Sequence, residues 1–337
     1  MAAFFKWLFS LFGITPTVIP PEVIDETTAH VDPEDYDVEN VTDEEVQEIL
    51  DELDDLDDSR KPSKFAVLIG INIYDPSLNA DLNGCVNDVE NMYKILTEVY
   101  DFPHDNIRML TDDRATQNNI IDRIAWLMNH NIPGDELVLH YSGHGSQVRD
   151  RGLLDELNDH MDEILCPHDL DWDDPLVDDT IRFFFDKKGE GVSLTFVCDS
   201  CHSGSITKST DFNTPAEAPK IRYIQPPLDI KVREGDNPIT VQTIGGLNIH
   251  EREWIEQDHV LLSGCRDDQT SADAFIDGTW QGAMTSSLIR SIKNNPNRDW
   301  TNIHADVISI LNAGGYTQKP QLSGEDSLVK GRTIFGS

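Results

Sequence analysis

Two glycine-flanked tips carry the residues able to do chemistry. Cys201 stands in Cys198-Asp199-Ser200-Cys201-His202-Ser203-Gly204, and His144 stands in His140-Tyr141-Ser142-Gly143-His144-Gly145. A cysteine attacks as its thiolate, and a nearby imidazole both lowers the thiol pKa and returns a proton to the leaving amine. Cys201 as nucleophile with His144 as its acid–base partner would therefore perform acyl transfer. A rival pattern overlaps the first: Cys198, Cys201 and His202 spell C-x-x-C-H, a haem-attachment spacing that contains a dithiol pair. Haem attachment of that kind belongs to exported chains, and Met1 to Gly13 lacks the basic start and small-residue cleavage site of a secretory leader. A redox dithiol normally opens a helix near the start of its chain, so nucleophilic attack by Cys201 is the preferred reading.

Apolar runs must hold these tips in place. Leu194 to Val197 precedes one and Leu137 to Tyr141 the other, while Lys64 to Tyr74 supplies a third run. Such runs ending at small polar residues read as buried parallel strands that deliver side chains at their carboxyl ends. Between them, Cys85 to Tyr100 spaces Val89, Met92, Ile95 and Leu96 at helical intervals, and Asn118 to Asn129 does the same. Short strands are expected at Ile107 to Leu110 and Val260 to Ser263, with helices at Phe183 to Lys188, Ala283 to Asn294 and Trp300 to Asn312. This alternation predicts an α/β fold, a mostly parallel central sheet with helices on both faces. Side chains two apart on an extended strand share a side, so Asp199 accompanies Cys201 and Ser142 accompanies His144. A carboxylate there would bind a substrate guanidinium bidentately, or a lysine ammonium as a point charge.

The pairing of His-Tyr-Ser-Gly-His-Gly at His144 with Asp-Ser-Cys-His-Ser-Gly at Cys201 resembles the two signatures of the metacaspases, caspase-like cysteine peptidases. The resemblance runs from about Lys64 to the end and takes in the Gln269-Thr270-Ser271-Ala272-Asp273 run and the closing Gln318 to Leu322 segment. It implies a caspase-like sandwich and a basic-residue pocket made of Asp199, Ser142 and the Asp88 of Cys85-Val86-Asn87-Asp88, hence cleavage after Arg or Lys. The N–H groups of Cys201 and Gly145 would hold the oxyanion. It also implies calcium, with Asp159, Asp178 and Asp179 as ligands in a stretch already rich in carboxylates. A further family ligand, an aspartate six residues after the nucleophile, is replaced by Thr207. Self-cleavage at a basic site is implied as well, with Arg60, Lys208, Lys220 and Arg222 as candidates. A catalytically silent caspase-like regulator and a calcium-binding scaffold are the non-enzyme alternatives.

Composition bounds the rest. The 337 residues hold 62 acidic against 26 basic side chains, a formal charge of −36, which repels nucleic acid and attracts cations and basic peptides. Five scattered cysteines suggest no disulfide framework and point to a reducing, cytoplasmic setting. The expected organisation is an acidic pro-segment over residues 1–63, then a catalytic domain over 64–337. Within that domain, 64–205 is a large-subunit-like part, 206–259 an exposed linker and 260–337 a small-subunit-like part. Residues 1–13 are apolar and aromatic enough to lie on a membrane surface, on a partner or on the protein's own core. Thr42 to Leu56 reads as an acidic amphipathic helix, and a monomer is expected.

Overall fold

The computed structural model describes residues 60–149, 161–201, 218–227, 258–266 and 269–336. The apolar start, the acidic helix expected before the core, Asp159, Thr207 and Lys208 lie outside the described residues.

The apolar runs form the middle of one six-stranded sheet. β1 (Lys64–Gly70), β3 (Glu136–Ser142) and β7 (Ser193–Asp199) are buried almost throughout, as strands covered on both faces must be. β1 pairs in parallel with β2 (Ile107–Thr111) on one side and with β3 on the other, β3 pairs in parallel with β7, and β7 with β9 (Val260–Ser263). The edge strand β12 (Gln321–Ser323) runs antiparallel to β9. The order is therefore β12-β9-β7-β3-β1-β2. β1 ends earlier than its apolar run suggests, because beyond Gly70 the chain turns into a loop bonded to Asp112 through Asn72 and Ile73.

Period-two alternation sorts side chains onto two faces. Ala66, Leu68, Val138, Val197 and Leu262 share a core with α1 (Cys85–Glu98), α4 (Ala283–Asn294) and α5 (Trp300–Ala313). On the other face lie α2 (Gln117–Met128) and α3 (Asp178–Phe185), where Phe65 meets Trp126 edge-on and Phe185 meets Phe196 edge-on. Each fully buried large apolar side chain contributes about 1.5–3 kcal/mol. Thr116 caps α2 by accepting from the Asn119 N–H, and Asp299 caps α5 by accepting from the Asn302 N–H at 2.9 Å.

Three findings correct the sequence reading. The helix expected at Phe183–Lys188 begins five residues earlier, at Asp178, where the helix dipole favours a carboxylate. Two small antiparallel sheets were not foreseen. One contains β4 (Gly145–Arg149), β5 (Met161–Leu165) and β6 (Leu176–Val177), and the other β8 (Lys220–Ile221), β10 (Ala272–Ile276) and β11 (Thr279–Gly282). β8 lies inside the supposed exposed linker, and Arg222 beside it is fully buried.

Candidate active site

β3 and β7 lie side by side with Ser142 opposite Asp199, so both expected tips emerge together at the carboxyl edge of the sheet. His144 follows β3 by two residues and Cys201 follows β7 by two. The N–H groups expected to hold an oxyanion converge: Gly145 and Cys201 both donate to the carbonyl of Arg222, at 3.1 and 3.2 Å.

The Arg222 side chain fills the acidic hole. Its Nη2 meets Asp88 Oδ2 at 2.8 Å and Asp273 Oδ1 at 3.1 Å, and its Nη1 meets Asp199 Oδ2 at 3.2 Å. The same Nη1 donates to Ser142 Oγ at 2.8 Å and to the Asp199 carbonyl at 3.1 Å. Thus Asp88, Ser142 and Asp199, far apart in sequence, surround one guanidinium. α1 brings Asp88 in from its first turn. Asp273 is a fourth member that sequence reasoning noted only as part of a landmark run. It comes from β10 and also accepts from the N–H groups of Asn83 and Gly84, at 2.9 and 3.0 Å.

These carboxylates are held from several sides. Asp199 accepts from Ser271 Oγ at 2.5 Å and from both the N–H and the hydroxyl of Thr285, at 2.9 and 2.7 Å. Asp88 accepts from Ser142 Oγ at 2.7 Å and from the Gly282 N–H at 2.9 Å. A Cβ at Gly282 would land on the Asp199 carboxylate and 2.5 Å from Arg222 Nη1, so only glycine admits so close an approach. Burial pushes the Asp88 carboxyl up to about 6, opposed by the Arg222 guanidinium and reinforced by the Asp199 charge.

At the reactive corner, the backbone of His144 is pinned by Tyr74 and Tyr141. Its N–H donates to Tyr74 Oη at 2.8 Å, and its carbonyl accepts from Tyr141 Oη at 2.7 Å. Nε2 lies 2.6 Å from the Ala80 carbonyl, which can only accept, so Nε2 carries the proton. Nδ1 is left as a buried lone pair with no protein partner. Burial lowers the His144 pKa to about 4, with the Ala80 and Arg222 backbone opposing and the Arg222 charge adding to the shift, so the imidazole is neutral at pH 7. The Cys201 thiol is fully buried, accepts from the Ser271 N–H, and lies 3.7 Å from Cys265 Sγ. Cys198, the other half of the C-x-x-C pattern, is on β7 and contacts Ser200 Oγ instead.

Of the residues expected to bind metal, Asp159 lies outside the described residues, and Asp178 and Asp179 open α3. Among the described residues no three His, Cys, Asp or Glu side chains converge as a metal site. No helix among them is long and apolar enough to cross a membrane.

Comparison with known proteins places this geometry. Residues 64–210 match the family model of the metacaspase peptidase C14 domain. Metacaspase-1 of Saccharomyces cerevisiae is 35% identical over 287 residues, which cover 77% of this chain and 65% of that protein. The chain thus spans just under two thirds of that relative's length. Metacaspase-1 of Candida glabrata is 35% identical over 286 residues, covering 77% and 71%. A crystal structure of a Geobacter sulfurreducens protein superposes with a TM-score of 0.58 at 29% identity, over 82% of this chain and 99% of that one. Caspase-1 of Spodoptera frugiperda shares the fold at a TM-score of 0.50 and 14% identity, over 82% and 91%. The architecture is a caspase-like α/β fold.

Proposed function

The chain belongs to the metacaspases, cysteine-type peptidases of the C14 family, and from that premise we propose an endopeptidase that cleaves after Arg or Lys. Its own Arg222–Tyr223 bond would be a first substrate. The observation that carries the reading is Arg222 itself, with its guanidinium among three carboxylates and its carbonyl under two N–H groups. A side chain buried for structural reasons alone has no need to present its own carbonyl to that pair of donors.

The course follows from these atoms. The Cys201 proton passes to His144 Nδ1, and the thiolate attacks the carbonyl carbon of the basic residue. The N–H groups of Gly145 and Cys201 hold the developing oxyanion, each such donor being worth about 3–4 kcal/mol. Collapse expels the amine of the next residue, which takes the proton from Nδ1. Water, deprotonated by the same nitrogen, then hydrolyses the thioester and restores the thiol. Nε2–H, bonded to Ala80, keeps Nδ1 the basic nitrogen throughout. Lysine would reach the same carboxylates with one point charge in place of a fork.

Calcium stimulation belongs to the same proposal and is supported by the carboxylate-rich stretch from Leu153 to Thr180. Asp159, Asp178 and Asp179 are its proposed ligands, and no step above passes through the ion. The proposed substrates are proteins and peptides carrying Arg or Lys before the cut bond, and the proposed setting is cytoplasmic with the chain as a monomer.

An arginyl fluorogenic peptide tests the reading. The parent should hydrolyse it, an alanyl analogue should not be cut, and Cys201→Ala should lose at least about a thousandfold in kcat. Equal hydrolysis by Cys201→Ala, or none by the parent with or without calcium, would favour the silent regulator or the scaffold.

A further inference from the structure

From Ile221 to Gln225, along the segment that crosses the site, exposure alternates. Arg222 and Ile224 are 0% and 8% exposed, whereas Ile221 is 41% exposed, Lys220 and Gln225 are exposed, and Tyr223 is half-buried. An extended chain sends successive side chains to opposite sides, so two side chains point inward here. One is the arginine before the proposed cut, and the other is an isoleucine two residues after that bond.

The backbone is held on both sides of the bond. Upstream, Lys220 and Ile221 pair with Asp273 and Ala272 of β10, and the Arg222 N–H donates to the Ser271 carbonyl at 3.1 Å. Downstream, Tyr223 forms a parallel bridge with Gly145. Gly145 gives its N–H to the Arg222 carbonyl and accepts the Ile224 N–H on its own carbonyl, both at 3.1 Å. The fully buried Ser146 then donates its hydroxyl to the Ile224 carbonyl at 2.5 Å. Gly145 is thus a hinge between the two halves of the substrate, one of its groups serving the reacting carbonyl and the other the chain beyond it.

We infer that the site has a second specificity position two residues after the scissile bond, where Gly145 and Ser146 of β4 hold the main chain and the buried side chain is aliphatic. This rests on the reading that Arg222 precedes that bond. Burying an aliphatic side chain there is favourable, glycine forfeits the gain, and an aspartate must be desolvated without a partner. The peptide that fits is a basic residue, a tolerant position, then isoleucine, leucine or valine.

Internally quenched peptides Lys-Ile-Arg-Tyr-X-Gln, given to the full-length protein with X as isoleucine, glycine or aspartate, test this directly. Isoleucine should exceed glycine by about tenfold in kcat/KM and aspartate by more. Replacing the exposed isoleucine before arginine should cost less than either change. Ser146→Ala should lower the ratio of kcat/KM for the isoleucine peptide to that for an arginyl aminocoumarin, which ends at its leaving group. Values within twofold across X, with cleavage still after arginine, overturn the second site and leave the Arg/Lys reading standing. No cleavage after arginine in any peptide overturns the reading beneath it.

Discussion

Around the Arg222 guanidinium each carboxylate is bonded from several directions, whereas the His144 imidazole beyond β3 keeps one ring nitrogen unused. Asp199 accepts from Ser271 and twice from Thr285, Asp88 from Ser142 and Gly282, and Asp273 from Asn83 and Gly84. His144 spends Nε2 on Ala80 and leaves Nδ1 unpartnered. Recognition and chemistry ask opposite things of buried polar groups. A hole that binds charge must have its own charges fixed before the ligand arrives, because unpaired buried carboxylates are costly. A base must keep a lone pair unspent, because proton transfer consumes it.

Substitutions should therefore split into two kinds. Cys201→Ala should give the largest effect, a loss of at least about a thousandfold in kcat, with a smaller loss of stability in urea titration than Asp199→Asn, since the buried thiol accepts the Ser271 N–H but holds no charge in place. Asp199→Asn should do the reverse in part. It should raise KM for arginyl peptides about a hundredfold or more and also lower stability by about 2–4 kcal/mol in urea titration, because three donors and a guanidinium lose their charged acceptor. A stable Asp199→Asn protein with unchanged KM would erase the distinction.

pH separates the regions more finely. Asp88 is pushed up to about 6, so it loses its charge as pH falls through that value, and the hole then binds a cation less well. His144, lowered to about 4 by burial, stays neutral across the same range. The Arg222 guanidinium holds that value down, so the acid limb of kcat/KM on arginyl peptides should lie at or above pH 6 and belong to the hole, and Asp88→Asn should flatten it on a lower plateau. A limb that persists unchanged in Asp88→Asn would assign it elsewhere. The smallest effect expected is that of calcium, a several-fold rise in rate over excess chelator. Equal rates in both would remove the ion from the proposal.

Much of the frame was legible in sequence because β1, β3 and β7 are continuous apolar runs, which only a covered parallel sheet accommodates. Both tips were legible too, since glycines and a thiol break those runs abruptly. Asp273 and Gly282 were not read as site residues, because the local hairpin of β10 and β11 that carries both meets Asp88 only in the folded chain, Gly282 donating to it across 194 residues. Nor could spacing separate Arg222 from Lys220. The two lie two apart on one extended segment, and depth decides between them: the first is fully buried, while the second reaches the exposed Asp81 carbonyl. Asp178 carries two meanings at once, as a helix-opening carboxylate and as a proposed calcium ligand, and sequence spacing suits both.

The central claim is that Arg222 lies in the site as a substrate does. Terminal sequencing of the purified full-length chain, incubated with calcium and compared with Cys201→Ala, measures it directly. The account predicts a fragment beginning at Tyr223 that is absent from Cys201→Ala and lost in Arg222→Ala. A parent chain that yields no such fragment, or the same fragment from Cys201→Ala, would contradict it.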